Sequence, residues 1–261
     1  MFSPAEIANN YITVAKNKTS MKWYKAIMSA ILAGAFIAFG GAVATAASSG
    51  LGNAAPLVKG AVFPVGLILV VICGAELFTG NCLLVSPCIS KDIKVTSMLK
   101  SWGLVYLGNF IGGALIAILV VYSGVISDKA LADIGNAKVD MGFLQSFLRG
   151  ILCNMLVCLA VWGSMASKSA AGKILALYFP VLAFVVCGFE HSVANMYYLT
   201  AALLAGANCG VGNALLYCLI PSTLGNIIGG AAIALVYHFV YRFKGFKKKT
   251  TENKTDNEEQ K

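Results

Sequence analysis

Residues 107–117, LGNFIGGALIA, return at 224–234 as LGNIIGGAAIA, identical at nine of eleven positions. A second pair precedes each copy: FPVGLILVVICGAELFTGN at 63–81 and FPVLAFVVCGFEHSVAN at 179–195 share Phe-Pro-Val, then Cys-Gly-x-Glu, then Asn five residues after the glutamate. Two matches in the same order, about 115 residues apart, mark an internal duplication.

The duplicated stretches lie in an apolar chain. Of 261 residues 58% are hydrophobic and 12% charged, where a soluble domain carries roughly 25% charged residues. Segments 27–49 and 101–127 hold no Asp, Glu, Lys or Arg, and each can cross a bilayer, which takes about 20 apolar residues. Segment 60–90 carries only Glu76 and segment 141–167 only Arg149. Segment 174–241, with Glu190, His191 and His238, is too long for one crossing and should turn over at the Gly- and Asn-rich 205–213. The expectation is an all-α membrane protein of six transmembrane helices.

Each copy of the repeat then holds three spans. An odd number forces the second copy to begin from the opposite face, so the halves are antiparallel, an arrangement that places permeation sites near the midplane at interrupted helices. The second and fifth spans are the expected interruptions, with 79–81 and 192–195 as the unwound segments. Non-helical backbone at that depth must be buried in protein or line a wet cavity. Gly112-Gly113 and Gly229-Gly230 are expected to let helices approach closely. The chain is thus divided into a single six-span channel domain, 1–246, comprising an amphipathic N-terminal helix (1–20), a first repeat (21–130) and a second repeat (140–246). The charged segment 247–261 is expected to be disordered.

A net charge of +9 does not call for nucleic acid, because the basic residues fall where topology puts them. With both ends in the cytoplasm of a cell whose inner or plasma membrane holds the chain, four of the twenty Lys and Arg residues lie outside: Lys59, Lys129, Lys138 and Arg149. The eight cysteines form no C-x-x-C pair and no zinc-like spacing, so neither metal nor cofactor is expected, and they read as small packing residues.

Ionisable residues deep in a membrane are costly and mark candidate sites. Glu76, Glu190 and His191 qualify. His191 has no equivalent in the first repeat, where Leu77 stands, so one imidazole breaks the pseudo-symmetry and is expected to face the permeant. Conduction requires weak binding, which a hydrogen-bonding imidazole provides better than a fixed Lys or Arg. A carboxylate would repel an anion, so Glu76 and Glu190 are expected to be structural, accepting backbone N–H groups freed at the helix breaks, with Asn81 and Asn195 bracing the same loops. Thr79 is expected either to touch solute or to cap a half-helix.

At these residues the chain closely resembles the formate/nitrite transporter family, which includes hydrosulfide channels. The strings that carry the resemblance are Cys73-Gly74-Ala75-Glu76-Leu77-Phe78-Thr79-Gly80, Cys187-Gly188-Phe189-Glu190-His191-Ser192-Val193-Ala194-Asn195-Met196 and Cys153-Asn154-Met155-Leu156-Val157-Cys158-Leu159-Ala160. The resemblance implies an aquaporin-like fold, a homopentamer with one pore per protomer, and passage of a small monovalent weak-acid anion: formate, nitrite or hydrosulfide. It implies a cytoplasmic constriction at Phe63, Leu67 and Phe184 and an outer one at Leu77 and Val157. Thr79 would sit on a mobile loop, and His191 and Asn154 would line the chamber between the constrictions. Phe78, Glu76, Glu190, Asn195 and Lys138 would be supporting. By themselves Phe63, Leu67, Phe184 and Val157 are apolar residues in apolar helices, for which packing is the ordinary role.

A neutral-solute channel of aquaporin-like type is the nearest alternative, but the paired Asn-Pro-Ala is absent: the breaks read Asn81-Cys82-Leu83 and Asn195-Met196-Tyr197. An ammonia channel would show two central histidines. A membrane enzyme or redox carrier would need a nucleophile or ligand cluster that the chain does not display.

Overall fold

The computed structural model describes residues 1–242, and the segment expected to be disordered, 247–261, lies outside them. No strand occurs among the described residues. The first helix, α1 (Pro4–Ser20), begins with a capping box: the Ser3 side chain accepts the Glu6 N–H, and the Glu6 carboxylate accepts the Ser3 N–H. This interaction holds the fully exposed Glu6 carboxyl below its ordinary pKa. Ile7, Ala8, Tyr11 and Ala15 form the buried stripe of α1.

After α1 come α2 (Trp23–Ser48), α3 (Ala55–Val62), α4 (Val65–Ile72), α5 (Phe78–Asn81), α6 (Val85–Ile89) and α7 (Val95–Ser123). The surface helix α8 (Asp128–Asp140) leads into α9 (Gly142–Met165), α10 (Ala170–Val186), α11 (Ser192–Leu204), α12 (Gly210–Asn213) and α13 (Ile220–Tyr241), the last preceded by a π-turn at Ala214–Leu219. Five helical stretches are long and apolar enough to cross a membrane: Trp23–Ser48, Gly52–Ile72, Val95–Ser123, Gly142–Met165 and Gly210–Tyr241. The stretches Phe78–Ile89 and Ala170–Val186 are apolar but shorter, so the expected fifth span is not one long helix.

Glycine explains the close packing. α2 lies along α7, and α9 along α13. A Cβ on Gly112 would overlap the Ile31 carbonyl oxygen, and one on Gly229 the Ile151 carbonyl oxygen. These two expected approaches are therefore backbone on backbone.

The chain leaves helix at 73–77 and at 187–191, just ahead of the segments where unwinding was expected; 79–81 and 192–195 are helical. The cause is the Cys-Gly dipeptide. Gly74 (φ +75°) and Gly188 (φ +67°) adopt the left-handed conformation that ends a helix. The Ala75 N–H then returns to the Val70 carbonyl at 2.8 Å, and the Phe189 N–H to the Phe184 carbonyl at 3.0 Å, the six-to-one bond of a Schellman motif. Two residues later Leu77 and His191 are extended and occupy the positions that precede α5 and α11. Cys-Gly-x-Glu is thus a stop and restart signal, and the glutamate falls inside the gap.

Candidate functional site

Each gap is closed by the same four side chains: two asparagines, a glutamate and a lysine. In the first repeat the Asn109 side-chain oxygen accepts the freed Phe78 N–H (2.9 Å), while its amide donates to the carbonyls of Ala30 (2.8 Å) and Glu76 (2.9 Å). In the second, Asn226 accepts the Ser192 N–H (2.8 Å) and donates to the carbonyls of Gly150 (2.8 Å) and Glu190 (2.9 Å). Both asparagines are fully buried. Each satisfies two backbone groups, one N–H and one carbonyl, that a broken helix would otherwise strand without water, and anchors them to a carbonyl of an intact neighbouring helix, α2 or α9.

The glutamates were expected to take freed backbone N–H groups, but among the described residues their carboxylates are held by side chains instead. Glu76 accepts from the Lys18 ammonium (2.7 Å) and from Asn81 (2.9 Å). Glu190 accepts from the Lys138 ammonium (2.8 and 3.0 Å) and from Asn195 (2.8 Å). A carboxylate is better compensated by a cation than by neutral donors, and the asparagines Asn109 and Asn226 have already taken the peptide groups. Asn81 and Asn195 therefore brace the loops through the carboxylates. Lys18, Asn109 and Asn226 were not identified from sequence, although both asparagines sit inside the most similar repeat strings.

The pseudo-symmetry fails at one position. Leu77 caps nothing, whereas the His191 Nδ1 accepts the Ala194 N–H at 3.1 Å. In the neutral ring the proton is therefore on Nε2, which donates to the Thr79 hydroxyl at 2.9 Å. Thr79 and His191 come from opposite repeats, and both are buried. The His191 ring also stacks on Phe184, with centroids 6.0 Å apart, and Phe184 meets Phe63 edge-on at 5.8 Å.

Two cavities approach this bond from opposite faces. One, of about 170 Å³, opens beside α8 and is lined by Phe63, Phe184, His191, Lys138 and Glu190 among others. The other, of about 370 Å³, opens beside α1 and includes Leu67, Leu77, Lys18, Glu76 and Asn81. Phe63 and Phe184 therefore face the α8 mouth while Leu67 and Leu77 face the α1 mouth, so Leu67 groups with Leu77, and the two constrictions stand in the reverse of the expected order: the phenylalanines expected on the cytoplasmic side lie away from α1, the helix expected on that side, and Leu77, expected in the outer constriction, lies beside it. One helical turn separates Phe63 from Leu67, roughly 6 Å along the axis, enough to put them on opposite sides of a thin barrier.

Thr79, Val157 and Asn154 line neither cavity and lie buried between them. Val157 belongs to the same apolar cluster as Phe63, Leu67, Leu77, Phe78 and Phe184. The amide of Asn154 donates to the carbonyls of Thr79 (3.1 Å) and Asn226 (2.6 Å), tying α9 to both breaks. The Phe78 ring packs edge-on against Tyr106 and Trp102, outside the path between the cavities. Among the described residues no group of three His, Cys, Asp or Glu side chains could hold a metal. His238 lies elsewhere, beside Ser90 and Arg242 at the end of α13.

The family model for formate/nitrite transporters matches residues 5–240. The chain belongs to the formate/nitrite transporter family. It is 38% identical to a protein of Methanothermobacter thermautotrophicus called a probable formate transporter, over 92% of this chain and 97% of that one. Among solved structures it is similar to a formate/nitrite transporter family ion channel (TM-score 0.83, 28% identity, 91% of this chain and 98% of the other). It is also similar to a pentameric formate channel with formate bound (TM-score 0.75, 31% identity, 84% and 96%). Membership of the formate/nitrite transporter family makes the chain a multi-pass membrane transport protein, and its long apolar helices are membrane spans.

Proposed function

We propose that each protomer conducts a small monovalent anion of a weak acid, formate, nitrite or hydrosulfide, between the two cavities and past the His191–Thr79 pair. The reading takes the fold as six spans in two inverted three-helix repeats, aquaporin-like, with α3–α6 and α10–α11 as the interrupted second and fifth spans. It takes the assembly as a homopentamer in the cell membrane, with both termini cytoplasmic and α8 outside.

One observation carries it: His191, at the second helix break, is hydrogen-bonded to Thr79 of the opposite repeat, between two mouths that each hold a Lys–Glu pair. Both carboxylates are neutralised, so neither repels an anion. The narrow part is apolar, with Phe63 and Phe184 on one side, Leu67 and Leu77 on the other and Val157 buried between them, and it strips water from the solute. There His191 Nε2–H and the Thr79 hydroxyl supply hydrogen-bond donors in place of water. Neither carries a fixed charge that would trap the anion. Asn154 and the Asn109 and Asn226 braces keep the two half-helices in register. The α11 N-terminus, which His191 caps, adds a positive dipole end directed at the same point. When Nδ1 takes a second proton from water in place of the Ala194 N–H, the imidazolium can hand its Nε2 proton to the weak-acid anion, which passes the apolar rings as the neutral acid and leaves the ring neutral.

The test is proteoliposome uptake of formate, nitrite and hydrosulfide against swelling in glycerol. The reading expects anion uptake without glycerol swelling. Swelling in glycerol with no anion uptake would favour the neutral-solute channel.

A further inference from the structure

The two mouths are alike in their Lys–Glu pairs and unlike in one residue. The α1 mouth has Lys18 and Glu76 as its charged groups, and they neutralise each other. The α8 mouth has the Lys138–Glu190 pair and, in addition, Lys59 from α3. Lys59 is half-buried, and no ion pair or hydrogen bond to an acid joins it among the described residues. Lys138 is committed: two contacts of 2.8 and 3.0 Å hold it on Glu190, and its ammonium lies 5.2 Å from the centroid of the Tyr198 ring. Among the residues that line the α8 mouth, two ammonium groups against one carboxylate leave one uncompensated positive charge, that of Lys59; Arg149 stands behind the lining and donates to the carbonyl of Gly188 at 3.4 Å.

We propose that Lys59 is an anion-capture residue that makes the pore rectify, so that at low ionic strength anions are admitted more readily from the α8 mouth than from the α1 mouth. The inference rests on the anion-channel reading above and adds a polarity to it. A single charge in a narrow vestibule with apolar walls raises the local concentration of counter-ions because its field is focused along the cavity. At the α1 mouth no such excess exists, so capture from that side depends on bulk concentration alone. The effect is electrostatic and salt-sensitive: the screening length is about 30 Å at 0.01 M and about 3 Å at 1 M. At the lower salt the field spans the vestibule; at the higher it does not reach past the ammonium's own neighbours. Lys59 acts on capture and not on the barrier, because it shares the outer cavity with Phe63 and Phe184 without touching the His191–Thr79 bond. Lys138 cannot substitute for it without giving up Glu190, which would leave a carboxylate facing the anion.

The test is formate current through the purified pentamer in planar bilayers, with equal sodium formate on both sides, read as the ratio of currents at opposite voltages of equal size. In about 0.01 M salt the parent should give a ratio of roughly 3 or more, falling to near 1 in about 1 M salt. Lys59→Gln should bring the low-salt ratio to near 1, and Lys59→Arg should keep the parent's ratio. The salt dependence in the parent stands as a test even if Lys59→Gln fails to assemble. A low-salt ratio in Lys59→Gln equal to the parent's overturns the inference. So does a parent that takes formate into proteoliposomes yet shows no rectification at low salt. A parent that takes up no anion at all removes the reading on which the inference rests.

Discussion

His191 Nε2 lies 2.9 Å from the Thr79 hydroxyl, joining residues 112 positions apart in the chain. Because the Ala194 N–H occupies Nδ1, the imidazole has one nitrogen fixed as acceptor and one left as donor. A second proton on this ring would cost the α11 cap. The bond thus couples the protonation of a central side chain to the start of a helix, and it brings together the two places where the chain leaves regular structure.

Removing the Thr79 hydroxyl should therefore be felt twice. Thr79→Val leaves a buried Nε2–H without a partner, which costs about 1–3 kcal/mol, and should also slow anion uptake about tenfold. Thr79→Ser keeps the oxygen and should restore most of both. Thermal unfolding of the detergent-purified protein and initial uptake rates measure the two effects; equal stability and transport for Val and Ser variants would contradict the role given to the hydroxyl.

Asn109 and Asn226 should be equivalent. Each closes its break through one N–H and one carbonyl of the broken segment, so replacing either with Leu leaves two buried backbone groups unpaired and should destabilise by about 2 kcal/mol or more. Denaturation midpoints of Asn109→Leu and Asn226→Leu should fall by similar amounts. A variant that retains the parent's midpoint would mean that its break is held by something other than the asparagine.

The two ion pairs should differ in degree. Lys138 and Glu190 are 16% and 5% exposed at their side chains, against 21% and 11% for Lys18 and Glu76. Breaking a buried pair strands its carboxylate, at up to about 3–5 kcal/mol, and the cost falls with exposure. Lys138→Gln should therefore lower stability by about 3 kcal/mol and Lys18→Gln by about half that, read from unfolding curves of the assembled protein. The opposite order would show that burial does not set the cost.

These residues also show what was legible in the sequence. The duplication, the apolar spans, and the positions of Glu76, Glu190 and His191 follow from spacing and charge alone. The exact breaks do not, because Thr79-Gly80-Asn81 looks like a turn, yet the helix had already been ended by Gly74 through its left-handed backbone. Lys18, 58 residues from its glutamate on a polar surface helix, carried no mark of its role, since a lysine there usually only faces water, and Lys138, 52 residues from Glu190, was supplied by the family resemblance and not by its spacing. Asn109 and Asn226 were visible in the repeat strings, but a polar residue among glycines gives no sign that its partners are peptide groups of another helix. The order of the apolar rings was hidden for a different reason: one turn of helix decides which mouth a side chain faces, and apolar residues carry no mark of depth.

The most direct test of the central claim is uptake of formate, nitrite and hydrosulfide into proteoliposomes across pH, comparing the parent with His191→Ala. The account predicts that the variant still assembles as the same oligomer while its pH profile for these anions changes, since the one titratable donor on the path is gone. Identical pH profiles for parent and variant with every anion, in a correctly assembled protein, would remove His191 from the mechanism.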